Sequence, residues 1–122
     1  MHAEQLERDI ATAQARPDVV IKRNIIRQHN KQGQLFCCAF GAAFEAVRGS
    51  EGLPGWKILS WGRRYYGFTD AESNYFLSGW DGNELNNSYQ PPPDCVAAYD
   101  LGKRLAAKYV DGVELQQEIH CV

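Results

Sequence analysis

Cys37 and Cys38 stand side by side at the head of the most apolar run in the chain, LFCCAFGAAFEAV from Leu35 to Val47. A thiol at the start of a helix meets free backbone amides and the positive end of the helix dipole. Both favour the thiolate, and a nearby imidazole would complete a nucleophile and base pair. His29 and His120 would supply that base. The chemistry implied is that of a cysteine-dependent hydrolase or transferase.

A cysteine that opens an apolar helix with a histidine further along is an order shared with papain-like hydrolases, but no Gly-Ser-Cys-Trp type of signature surrounds Cys37 or Cys38. The competing explanation is packing. Free cysteine is among the most buried side chains and behaves as a small hydrophobe. Neighbours on a helix also point about 100° apart, so one of the two at most can face a given site. Metal binding by Cys37, Cys38, Cys95, His120 and Cys121, with His29 as an outsider, fits poorly. Zinc ligands come in close pairs separated by two or three residues, not as immediate neighbours. Asp81-Gly82-Asn83-Glu84 lacks the alternating oxygen ligands and distal glutamate of a calcium loop and reads as a turn. No metal and no cofactor are expected.

Another cluster is aromatic and basic: Trp61, Arg63, Arg64, Tyr65 and Tyr66, followed by Tyr75, Trp80 and Tyr89. Trp, Tyr and Arg dominate protein interfaces, and aromatics beside Arg can also stack on bases. One helix cannot bury Arg63, Arg64, Tyr65 and Tyr66 together, so part of the cluster is expected at the surface, beside the segment 81–93. The expected partner contacts are Trp61, Arg63, Arg64, Tyr65, Trp80 and Tyr89. A solvated basic helix end with snorkelling arginines is the plainer alternative.

These residues need elements to hold them. Leu6, Ile10 and Ala13, with Ala3, recur at helical spacing and mark an amphipathic first helix ending near Pro17. For 18–28, DVVIKRNIIRQ, a short hairpin and a second helix both fit, and Asn30-Lys31-Gln32-Gly33 is a turn. The apolar run is read as a central helix over 35–48, with Glu45 its one charged break, stopped at Arg48-Gly49. Pro54 opens a helix closed by Gly67, with Trp56 and Tyr66 bracketing its buried stripe. Thr69-Asp70-Ala71-Glu72 is a capping box that starts another helix ending near Gly79. Asp94 caps the last long helix, whose apolar face is Val96, Tyr99, Leu101, Leu105, Ala106 and Tyr109, and Asp111-Gly112 stops it. The expectation is a mainly α, single compact domain over 1–122. Four to five helices surround the central helix, and a small β-hairpin over 19–36 or a C-terminal edge strand over 113–122 completes it.

Composition sets limits on function. With 122 residues, 44% hydrophobic, the chain can build a real core as one domain. The 13 basic against 15 acidic residues give no excess for general nucleic-acid affinity. The N-terminal residues lack the apolar core of a secretory signal, and no stretch is long enough to cross a bilayer. Cytoplasmic residence with reduced thiols is expected, barring a leader removed beforehand.

Phe36-Cys37-Cys38-Ala39-Phe40-Gly41-Ala42-Ala43, then Tyr65-Tyr66-Gly67-Phe68-Thr69, then Tyr75-Phe76-Leu77 with Trp80-Asp81, resembles small uncharacterised proteins of bacteria and their phages. Those carry a Cys-x-x-Gly-x-Ala helix followed by Leu-Gly-Leu-Thr and a Leu-Phe before a Trp-Asp or Asn-Asp turn. Cys38, Gly41 and Ala43 match the first block, and Gly67, Phe68, Thr69 and Phe76 the second. Phe40 and Phe44 depart from the smaller residues usual there. The resemblance covers the middle of the chain, implies a small helical domain encoded by a phage or mobile element, and supplies no activity. The function expected is that of a non-enzymatic accessory protein, a modulator or inhibitor, which binds a protein partner. The same aromatics could instead close a homodimer.

Overall fold

The computed structural model describes residues 1–49, 51–85 and 90–112. Helix α1 (Ala3–Gln14) turns Leu6, Ile10 and Ala13 inward, as their spacing predicts. Three short strands follow: β1 (Val19–Ile21), β2 (Arg27–His29) and β3 (Leu35–Cys37). Four helices then run as α2 (Ala39–Arg48), α3 (Gly55–Tyr65), α4 (Asp70–Asp81) and α5 (Pro93–Ala106). The last continues into a π-helical turn over Ala107–Asp111. The fold is mainly α with a small sheet.

The sheet order is β1-β3-β2. β3 pairs in parallel with β1, Phe36 opposite Val20, and antiparallel with β2, Phe36 opposite Gln28. The hairpin therefore spans 27–37 and not 19–36. Asn30 closes it: its Oδ1 accepts from the amides of Gln32 and Gln34, and Gly33 takes a left-handed φ of 81°. The expected central helix over 35–48 is corrected as well. Leu35, Phe36 and Cys37 alternate buried, half-buried and buried as strand residues, and Cys38 is still extended (φ −77°, ψ −174°) at the cap of α2. The Cys38 amide donates to the Ile26 carbonyl at 3.0 Å, and that carbonyl lies so close to Gly41 that a Cβ there would be 1.9 Å from its oxygen. The chain between β1 and β2 thus seats directly on the first turn of α2.

Helix α2 is buried from Ala39 to Glu45 and forms the centre of the core. Phe40 meets Phe68 and Phe76 at ring separations of 5.6 and 5.2 Å. Glu45, 3% exposed, is an acid in this core. It is held by Arg16 through Oε1 and by Arg27 through Oε2, each at 2.9 Å. Arg16 also bonds Asp18, so one ionic chain ties the end of α1, strand β2 and α2 together.

Thr69 and Glu72 form the expected capping box at the start of α4. Helices α4 and α5 cross in close contact, because a Cβ on Gly79 or on Gly102 would lie 2.1 Å from a carbonyl oxygen of the other helix. Pro92, not Asp94, holds the cap of α5, and Asp94 sits in its first turn. Trp80 is fully buried, and its indole N–H donates to the Lys22 carbonyl at 2.9 Å. It is a core residue and not a partner contact. The proposed edge strand over 113–122 lies outside the described residues, and no helix among them is long and apolar enough to cross a membrane.

Candidate functional site

The thiols of Cys37 and Cys38 carry the strongest intrinsic chemistry in the chain. Cys37 is fully buried at the end of β3, and burial pushes its thiol up to about 12, with Cys38 and Glu45 adding in the same sense. Cys38 is 2% exposed, and burial pushes it up to about 11 against the lowering effect of the Gly41 and Phe40 amides. Desolvation outweighs the helix terminus, so both thiols are protonated at neutral pH. The cross-strand neighbour of Cys37 is Arg27, already bonded to Glu45. His29 is exposed and stands opposite Leu35, two pairs further along the ladder. His120 lies outside the described residues. Among the described residues no histidine stands beside either cysteine.

The aromatic cluster is divided by the phase of α3. Ile58, Gly62 and Tyr66, four residues apart, form its buried stripe. At about 100° per residue, Trp56, Lys57, Ser60 and Arg64 fall on the outer half, Trp61 lies at its flank, and Tyr65 sits at the edge of the stripe near the exposed end of the helix. Trp56 is 67% exposed and Tyr65 46% exposed. Trp56 therefore does not bracket the buried stripe, since it precedes Ile58 by two residues and points about 200° away from it. Tyr66 does face inward, and its hydroxyl donates to Asp9 at 2.5 Å.

Trp61 anchors the outer face. Its ring stacks on Tyr65 at 4.9 Å and 22°, and Phe44 meets it edge-on from the core at 5.4 Å. Lys57 lies over the Trp56 ring at 5.4 Å. Together with Arg48, Leu53 and Arg64 these side chains line an open cleft of 550 Å³. Arg48 pairs with Glu51 at 2.8 Å across half-exposed side chains. Among the described residues the Arg64 side chain makes no salt bridge or hydrogen bond.

Of the expected contacts, the structure therefore brings together Trp61, Arg64 and Tyr65. Arg63 points to the other edge of α3 and pairs with Asp70 at the start of α4. Trp80 is in the core, and Tyr89 lies outside the described residues. The neighbours of the cluster come from 48–57, and none of the described residues of 81–93 lines the cleft. Trp56, Lys57, Arg48 and Leu53 were missed, although the four-residue spacing of Ile58, Gly62 and Tyr66 was enough to place Trp56 and Lys57 outside. Another cleft, of 640 Å³, lies between the chain at 24–28 and helices α3 and α4, with Cys38 among its lining residues.

No family model, curated protein or solved structure matches the chain.

Proposed function

We propose that this protein is a non-enzymatic accessory protein that acts by docking a protein partner on the outer face of α3. The observation that carries it is the exposure of Trp56 and Tyr65, 67% and 46%, on either side of a Trp61 ring already fixed from below. Large aromatics held rigid in the free state lose little side-chain entropy on binding and supply most of the area of an interface hot spot. Arg48, Lys57 and Arg64 around them make this a positive face on a chain of net charge −2. A modulator or inhibitor encoded by a phage or mobile element is the role in keeping with the sequence resemblance. The cytoplasm suits its buried free cysteines Cys37, Cys38 and Cys95.

The test is site-specific photocrosslinking in the native host, with the photoreactive residue placed at position 56 or 65 and, as a control, at Lys31 in the hairpin turn. Crosslinks to one partner from 56 and 65 but not from 31 are expected, and W56A with R64E should abolish that complex while leaving the thermal melt unchanged. A partner retained by the doubly substituted protein refutes the assignment. Crosslinks to a second copy of the chain would replace the foreign partner with a homodimer.

A further inference from the structure

Resting on the docking face just described, we infer that the segment it receives is acidic and carries one aromatic or branched aliphatic anchor. The cleft has an apolar floor and a cationic rim. Half-buried Trp61 and Leu53 form the floor, and the exposed side chains of Arg48, Lys57, Arg64 and Tyr65 stand around it. Its 550 Å³ suits one or two large side chains and is too small for a folded element to sink into. The occupant is therefore an anchor side chain on an extended or helical segment.

The rim decides the sign of charge. Three aromatic rings could in isolation take a cation over their faces, each contact worth about 0.5–1 kcal/mol at an exposed site. Three positive side chains around the same opening oppose a cationic ligand and attract a carboxylate, and Glu51 is the acid already drawn to this rim, through Arg48. Arg64 has its planar fork free of intramolecular partners among the described residues, so it can take a carboxylate in the bidentate manner.

The rings decide against a nucleic acid. Single strands are bound on successive open aromatic platforms, one base to each. Here Trp61 has one face covered by Tyr65 and its edge met by Phe44, and Lys57 stands over Trp56. No run of open platforms is left, whereas an apolar side chain can pack against the edges that remain. Acidic residues flanking a single anchor match both the floor and the rim.

The experiment is an unbiased selection from a displayed library of random dodecapeptides on the full chain at about 50 mM salt, where surface charges are weakly screened. Enriched peptides are expected to be net acidic with one Trp, Phe, Leu or Ile. Their affinity should fall about tenfold or more with W56A, a hot-spot-sized loss, and again on raising the salt to about 500 mM. Selection on the K57E/R64E protein should lose the acidic preference. Neutral or basic peptides that depend on Trp56 would overturn the acidic segment and leave the docking face standing. Peptides indifferent to W56A and R64E, or no enrichment at all, would overturn both. Binding of a dodecathymidylate that is tighter than the best peptide and lost with W56A would replace the peptide with a single strand.

Discussion

Replacing Glu45 with Gln should cost about 3 kcal/mol, and the cost should reside in Arg27. The Glu45 side chain is fully inaccessible, and Arg16 and Arg27 differ in what they lose with it. Arg16 is 39% exposed and keeps Asp18 at 2.7 Å, so its share is that of a surface pair, about 0–1 kcal/mol. Arg27 is 10% exposed, with the Phe44 ring at 5.8 Å and the Glu51 carbonyl at 3.4 Å as its other neighbours. Neither neighbour replaces a carboxylate. Removing one member of a buried pair costs about 3–5 kcal/mol, and the neutral amide oxygen, which still accepts a hydrogen bond, holds the loss at the lower end. With a urea slope of about 2 kcal/mol per molar, the unfolding midpoint of E45Q should drop by about 1.5 M. The double variant E45L/R27M replaces the pair with apolar side chains of similar size, and such replacements are close to neutral. Its midpoint should lie within about 0.5 M of the wild type. The reasoning fails if E45Q loses less than about 1 kcal/mol, or if E45L/R27M loses the sum of the E45L and R27M single losses.

Four further outcomes follow from other parts of the structure. Gly102→Ala should lose about 2–3 kcal/mol in thermal unfolding despite gaining about 1 kcal/mol of helix propensity, because the new Cβ would fall 2.1 Å from the Phe76 carbonyl oxygen. Gly52→Ala, with nothing within 4 Å, should stay within about 0.5 kcal/mol of wild type. Cys37 and Cys38, pushed up to about 12 and 11, should remain unlabelled by iodoacetamide in the native protein at pH 7.5 and react only after unfolding, as read by peptide mass mapping. Rapid native labelling of either would reopen the thiol chemistry. Arg23 holds the Asp111 carboxyl below the usual range through bonds of 2.6 and 2.9 Å. A depressed folded pKa gives stability that is present above the unfolded value of about 3.9 and lost as pH falls through the folded one. The fall in melting temperature from pH 5 to pH 2 should therefore be shallower in R23M than in wild type. Equal slopes would refute a linkage through this pair.

Local signals were readable wherever one residue type answers one local demand. The Thr69 and Glu72 capping box satisfies two orphan amides within four residues, and Leu6, Ile10 and Ala13 need only one buried side for α1. The run from Leu35 to Val47 was not readable in the same way. A buried strand followed by a buried helix is apolar throughout, so hydropathy gives no boundary between them. The break at Cys38 is set by partners distant in sequence: Val19–Ile21 and Arg27–His29 pair with Leu35–Cys37, and the Ile26 carbonyl captures the Cys38 amide. For the site, residue type misled where phase would not have. Trp80 and Trp56 are alike as interface formers, but Trp80 is buried with its indole on the Lys22 carbonyl and Trp56 faces away from Ile58.

The way α3 packs also explains why it can hold aromatics on its outer side. Its inner stripe contains Gly62, where a Cβ would stand 2.6 Å from the Phe40 ring, so α3 approaches α2 closely with little side-chain bulk between them. Ile58 and Tyr66 complete that stripe, Trp56 and Trp61 are left to its outer side and flank, and Tyr65 is exposed beside Trp61 at the end of the helix. Phe44, one turn after Phe40 on α2, reaches past the narrow contact to meet Trp61 edge-on. The core thereby fixes the orientation of a ring whose other side is open to a partner. The double cysteine stands at the opposite end of the same helix, where it marks the junction of β3 with α2. Its side chains fill the core around that junction, and the exposed surface chemistry begins one helix later.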